Sequence, residues 1–360
     1  VVLTLDQSIQ HIVERETDAL MEQFHPEDVH IVVMRPATGE ILAMASRPTF
    51  DPNQRQTFAG EAIKNRPIAD TYEPGSTFKV VTLAAGLNEG TADLESTYFC
   101  EDGQMFYAGH WLKDHEPYGL LTLRQVVAKS SNIGMAKLAM QVGEEKLFHY
   151  ARLFGFGERT QKGEGGLPGE ERGLLRDLKN WNKISITRVP MGYEVAVTNL
   201  QMALAYGAIA NGGKRMEPRL IKAVVDRDNR VVMQFIPKVV CQVVRPETAT
   251  KVIDALRGVV SDTGTAENAA VPGFEVAGKT GTAQKWSNGV YSKEKYRSSF
   301  IGFLPADHPE FLVSIMVDEP KGKLYYGGQV AAPAFKNIAI HVAEQLNLNR
   351  SAVVATREKL

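Results

Sequence analysis

Strand-like runs at the two ends of a 360-residue chain, with helical periodicity between them, restrict its fold more than any other feature. Near the start, HIVVMRPATGEILAMAS (His30–Ser46) places two β-rich runs around Pro36-Ala37-Thr38-Gly39, the pattern of a hairpin. Three more β-type runs arrive only late: Phe274–Ala283, Ser299–Leu304 and Phe311–Val317. A lone hairpin is marginal in water, so it needs further strands, and only the late runs supply them. The expectation is an α/β (α+β) fold with one five-stranded antiparallel sheet covered by helices, and a helical subdomain inserted between the early and late strands.

The helices follow from apolar spacing. Leu5–Phe24 carries Ile9, Ile12, Val13, Leu20 and Met21 at helical intervals, and Pro246–Val260 carries Ala249, Val252, Ile253, Leu256, Val259 and Val260. Val195–Gly213 reads as a buried helix ending at Asn211-Gly212-Gly213, and Ala332–Leu346 as a closing amphipathic helix. Glycine loops such as Gly163–Gly169 break the middle of the chain. No linker divides it. We therefore expect a single domain over 1–347, with its α/β part about 1–85 and 220–347 and its helical subdomain about 86–219. Residues 348–360 read as a frayed tail.

With 44% hydrophobic residues the chain can build a sizeable core, and its net charge of −1 offers no basic field for nucleic acid. Cys100 and Cys241 form no metal or redox pattern, and His110 and His115 in GHWLKDHEPYG lack ligand spacing, so no metal is expected. No apolar run approaches a membrane span. The chain opens at Val1 rather than methionine, so an N-terminal segment, any membrane anchor included, is expected to be missing.

Three short motifs carry chemistry. With 14 serines and 21 lysines, S-x-x-K should occur about 0.8 times by chance. It occurs twice, so context must decide. Ser292–Lys295 lies in the charged YSKEKYRSS and reads as a solvated turn. Ser76 follows Pro74-Gly75 and opens the apolar helix FKVVTLAAGL, where backbone N–H groups are unpaired and the helix dipole is positive. Lys79 shares its face, and an ammonium on so apolar a helix is poorly solvated, which favours a neutral amine able to act as a base. Ser130-Ser131-Asn132 supplies S-x-N, and Lys279-Thr280-Gly281-Thr282 supplies K-T-G-T on a strand whose edge can take an extended peptide. TGTA itself appears twice, at Thr263–Ala266 and Thr280–Ala283, but only the second copy follows a lysine.

The set, in this order, resembles the transpeptidase domain of class B, monofunctional penicillin-binding proteins, over essentially the whole chain. LTLD, TGEILAMAS, NRPIADTYEPGSTFK, LTLRQVVAKSSNIGM, LPGE, SFIGFLPA and YYGGQVAAPAFKNIA strengthen the resemblance, and EPGSTFK leans towards the division-associated branch. Val80 stands where many relatives have proline, outside the chemistry.

The resemblance implies the penicillin-binding-protein/β-lactamase-like fold, a five-stranded antiparallel sheet flanked by helices with an all-helical subdomain. It implies Ser76 as the acylated nucleophile, Lys79 as its base, Ser130 as proton relay and Lys279 as its electrostatic tuner. Asn132, Thr280, Gly281 and Thr282 would bind substrate, and the backbone N–H groups of Ser76 and Thr282 would form the oxyanion hole. The first TGTA becomes a helix-exit loop without a role.

The implied activity is that of a peptidoglycan D,D-transpeptidase acting on stem peptides and blocked by β-lactam antibiotics, with no cofactor. A glycosyltransferase and other cell-wall synthesis proteins are the implied partners, and the outer face of the cell membrane the implied location. A D,D-carboxypeptidase is the nearest alternative. A β-lactamase or β-lactam sensor fits less well, since no E-x-x-L-N follows the SSN motif and both LTLD and LPGE are present.

Overall fold

The computed structural model describes residues 1–58, 60–161, 167–287 and 289–349. Part of the Gly163–Gly169 loop and nearly all of the tail lie outside them. The sheet is the expected one. Helix α1 (Gln7–Phe24) starts where the Asp6 carboxylate accepts from the Ile9 N–H at 3.0 Å, and buries Ile9, Val13, Leu20 and Phe24. Strands β1 (Asp28–Arg35) and β2 (Glu40–Arg47) form the early hairpin. The late strands are β3 (Ala277–Ser287), β4 (Val290–Leu304) and β5 (Phe311–Asp318), and the antiparallel order is β3-β4-β5-β1-β2.

Alternation along the strands assigns the covering helices to opposite faces. Phe300, opposite Ile315, meets Phe335 of the closing helix with ring centroids 4.8 Å apart. Leu312, three residues from Ile315, points the other way and meets Gly207 beside Met34. Strands β1 and β5 are thus buried on both faces, which explains why they read as continuous apolar runs.

Several expectations need correction. Strand β4 begins at Val290, so Ser292 lies in a strand and not in a turn. Its charges persist there because acidic partners accompany them: Lys295 pairs with Glu319 and Arg297 with Asp318. Ser292 itself accepts from the N–H groups of Glu294 and Lys295.

The inserted region is not all-helical. Around α2 (Lys79–Asn88), α3 (Leu123–Ala128), α4 (Asn132–Val142) and α5 (Glu144–Leu153) it carries two-stranded ladders, Thr97–Phe99 with Leu120–Thr122 and Gln104–Tyr107 with His110–Lys113. The second ladder turns through Ala108 and Gly109, both at positive φ, and an alanine there hides the usual hairpin signal.

The last long helix of that region, α6 (Asn199–Ala210), lies on the sheet itself. The Asn199 amide donates to the carbonyls of His30 and Ser314, both at 3.3 Å. Helix α7 (Pro246–Arg257) follows, and α8 (Gly327–Gln345) begins earlier than expected, at a glycine pair. A side chain on Gly327 would meet the Ser299 and Gly281 carbonyls at 2.3 and 2.4 Å, so glycine lets α8 reach the edge strand.

Candidate active site

Ser76 sits in a single 3-10 turn, Gly75–Phe78, that runs directly into α2. The turn is pinned from several sides. Thr77 donates to the Pro74 carbonyl at 2.8 Å, and the buried Tyr206 hydroxyl of α6 donates to the Thr77 carbonyl at 2.8 Å. Gly75, at φ +57, lets the turn approach Ala283 of β3. Ser76 thereby stands between the first turn of a buried helix and the edge strand of the sheet.

Lys79 is 1% exposed, yet its ammonium position is well served. Its Nζ donates to the Ser130 carbonyl at 2.6 Å, the Ser130 Oγ at 3.2 Å and the Asn132 Oδ1 at 2.8 Å. Burial outweighs the nearby Asp114 carboxylate, and the Lys79 pKa falls from 10.5 to about 7. An amine lowered this far can release or take up a proton in the neutral range.

Ser130 occupies the connection between α3 and α4 at φ +57, a left-handed conformation that costs a non-glycine residue roughly 1–3 kcal/mol. Bonds on both sides hold it: the Ser131 N–H donates to the Val126 carbonyl, and Lys79 takes the Ser130 carbonyl. Ser131, the middle residue of the motif, caps α4 by accepting from the Gly134 N–H at 3.0 Å.

Asp114 escaped the sequence reading. Its carboxylate accepts from the Asn132 and Ile133 N–H groups and from the Ser131 hydroxyl, so it fastens the S-x-N motif to the start of α4. The neighbouring Lys113 carbonyl accepts from Asn132 Nδ2 at 2.8 Å, which turns the Asn132 oxygen towards Lys79. Eighteen residues of sequence separate Asp114 from Asn132, and only the ladder at His110–Lys113 closes that gap, so no local pattern announces it.

On the edge strand Lys279 is 1% exposed and donates to the Thr280 carbonyl and hydroxyl at 3.3 and 3.4 Å. Burial, and then the charge of Lys79, hold its pKa well below the ordinary lysine value. Thr282 accepts from the Gly327 N–H at 3.0 Å, joining the strand to the start of α8.

A cleft of about 670 Å³ opens onto Ser76, Ser130, Asn132, Thr280 and Thr282. Lys79, Lys279 and Gly281 are not among the residues that line it, and a side chain on Gly281 would meet the Ser299 hydroxyl, the Pro74 carbonyl and Thr77. Tyr296, Tyr325 and Tyr326 form one side, with ring centroids 4.3 and 4.4 Å apart.

The expectation that the first TGTA stands apart is overturned. Gly264 and Thr265 line the cleft, and the Thr265 and Thr280 hydroxyls are 2.7 Å apart. The loop after α7 doubles back: Ala266 donates to the Val259 carbonyl at 2.8 Å, which carries the segment to the edge strand.

A hydroxyl at a helix start, a buried near-neutral lysine behind it and a second serine bonded to that lysine are the parts of a serine acyl-transfer site. Residues 29–339 match the family described as the penicillin binding protein transpeptidase domain. The chain belongs to that family, within its class B group.

It is 40% identical over 340 residues to stage V sporulation protein D of Bacillus subtilis, covering 93% of this chain and 52% of that protein. It is 35% identical over 363 residues to the probable peptidoglycan D,D-transpeptidase PbpC of Pseudomonas aeruginosa, covering 99% of this chain and 62% of that protein. Among solved structures, the apo transpeptidase domain of Burkholderia pseudomallei penicillin-binding protein 3 matches with a TM-score of 0.85 at 32% identity, over 97% of each chain. Penicillin-binding protein 3 of Mycobacterium tuberculosis complexed with ampicillin matches with a TM-score of 0.91 at 35% identity, over 98% of this chain and 79% of that one. The chain thus spans little more than half the length of these curated relatives.

Proposed function

We propose that the chain is the catalytic part of a peptidoglycan D,D-transpeptidase. The observation that carries the reading is Lys79: buried, held by both Ser130 and Asn132, near neutral in pKa, and placed one turn after Ser76. Ser76 Oγ attacks the penultimate D-alanine carbonyl of a stem peptide, and its proton passes to neutral Lys79. The carbon–nitrogen bond then breaks, Ser130 delivers its proton to the departing D-alanine nitrogen and takes the former Ser76 proton from Lys79 across their 3.2 Å contact, and an acyl-serine remains. The amine of a second stem peptide attacks that ester and frees Ser76, forming the crosslink.

The Ser76 and Thr282 N–H groups stabilise the oxyanion. Asn132 holds the substrate's amide, Lys279 lends positive potential to the relay, and Thr280, Gly281 and Thr282 present the free edge of β3 to the terminal residue and its carboxylate. A β-lactam acylates the same serine but leaves no free amine-accepting route, so its ester persists. Water in place of the amine would make the enzyme a D,D-carboxypeptidase.

A glycosyltransferase partner, other cell-wall synthesis proteins and a location on the outer face of the cell membrane belong to the same reading. No helix among the described residues is long and apolar enough to cross a membrane.

Mass spectrometry after mixing with penicillin tests the assignment. The adduct should map to Ser76, persist for minutes or longer, and vanish in Ser76→Ala. An adduct on Ser292, or undiminished labelling of Ser76→Ala, refutes it. Release of D-alanine with and without an added amine acceptor then separates transpeptidase from carboxypeptidase.

A further inference from the structure

We infer that Thr265, in the first TGTA copy, is a positioning residue for recognition of the substrate's terminal carboxylate: its hydroxyl donates to Thr280 Oγ1 and so leaves the Thr280 proton for that carboxylate. The inference rests on the acyl-transfer reading and concerns the same cleft.

A threonine hydroxyl has one proton to give and two lone pairs with which to accept. Lys279 Nζ already donates towards Thr280 Oγ1 at 3.4 Å, and Thr265 Oγ1 lies 2.7 Å from the same oxygen. Were Thr280 to donate to Thr265, its proton would point along β3's flank and only lone pairs would face an incoming carboxylate, which repels them. With Thr265 as donor, both Thr280 lone pairs are engaged and its proton is left for the cleft. Thr265 is open to the cleft and can solvate its own lone pairs with water, whereas Thr280 is buried. The chain Thr265 to Thr280 to carboxylate is then a run of hydrogen bonds in one direction, each polarising the next.

The position of Thr265 is built rather than incidental. The Ala266 N–H is tied to Val259, and Asn268 Nδ2 donates to the Gly328 carbonyl at 3.0 Å. A side chain on Gly328 would meet the Thr265 carbonyl at 2.2 Å, so the α8 glycine pair exists at a three-way contact of α8, the first TGTA and the second. Thr263 differs. Its hydroxyl lies 3.3 Å from Ser261 Oγ on an exposed flank, and it does not line the cleft.

The experiment compares acylation by benzylpenicillin with acylation by its methyl ester, which lacks the carboxylate, for the unaltered chain and for Thr265→Val, Thr265→Ala, Thr265→Ser and Thr263→Val. Without the Thr265 hydroxyl the Thr280 rotor is no longer fixed or polarised towards the carboxylate, which should slow acylation by the acid about tenfold in both the valine and alanine variants, through weaker pre-acylation binding. The ester should change less than about twofold. Thr265→Ser should restore the acid rate, and Thr263→Val should leave both rates unchanged. Equal losses with acid and ester, or no loss with the acid in either hydroxyl-free variant, would overturn the role of Thr265. Failure of the unaltered chain to be acylated by either compound would instead overturn the acyl-transfer reading, and this inference with it.

Discussion

At the scale of single residues, the site depends on a lysine that the protein makes unhappy as a cation. Lys79 loses solvation to the core of α2, and a neutral amine can still donate its two N–H groups to the Ser130 carbonyl and Asn132 Oδ1 while its lone pair accepts from the Ser130 hydroxyl. Acylation should therefore rise with pH and level off above about 7, the value to which burial lowers this group. Lys79→Arg keeps the charge but cannot deprotonate, so it should lose acylation by orders of magnitude, comparably to Lys79→Ala. Near-normal labelling of the arginine variant would show that charge alone matters.

The same depression makes a stability statement. Between about 7 and the ordinary lysine value of 10.5 the unfolded chain holds a proton that the folded chain lacks, so this group makes stability rise with pH across that window. Melting curves of the unaltered chain and Lys79→Met should show it. The methionine variant's advantage should shrink from pH 7 to 10, and a gap that stays constant would contradict the shift.

At the scale of elements, α4 is held at its first turn by a carboxylate from another part of the chain. Asp114→Ala removes the acceptor of the Asn132 and Ile133 N–H groups, an N-terminal cap worth about 1 kcal/mol, and should lower the melting temperature by a few degrees. It also frees Asn132 from its orientation, so acylation should fall at least about tenfold. Asp114→Asn can still accept one bond but loses the charge that raises the Lys79 pKa. The pH at which acylation reaches half its plateau should therefore move to lower values in Asp114→Asn, a shift that a purely structural defect would not produce.

At the scale of the whole molecule, the region inserted between the early and late strands is joined to the sheet through α6. Helix α6 lies against β1 and β5, and Tyr206 on it fixes the turn that carries Ser76. We propose that residues 1–347 unfold as one cooperative unit, with the sheet part about 1–85 and 220–347 and the helical part about 86–219 failing together. Calorimetry should show one transition, coincident with loss of penicillin labelling. Two transitions would divide the domain. Asn199→Ala removes the acceptor of the buried Ser314 hydroxyl and a donor to two strand carbonyls, and should cost about 2 kcal/mol without altering acylation in the folded fraction.

The sequence by itself determined the existence of the five strands of the main sheet, the main helices, and the order of the three motifs. Each of these rests on local physics: apolar spacing, the start of a helix after Pro74-Gly75, a lysine on an apolar face. It could not determine what crosses between elements. Ser130 at positive φ, Asp114 on the start of α4 and the Thr265–Thr280 hydroxyl pair depend on segments brought together from distant parts of the chain. The two TGTA copies show the difference. The lysine marks the second copy in sequence, whereas the first earns its place only because α7 ends where it does and Gly328 leaves room beside Thr265, a packing condition that no stretch of residues states on its own.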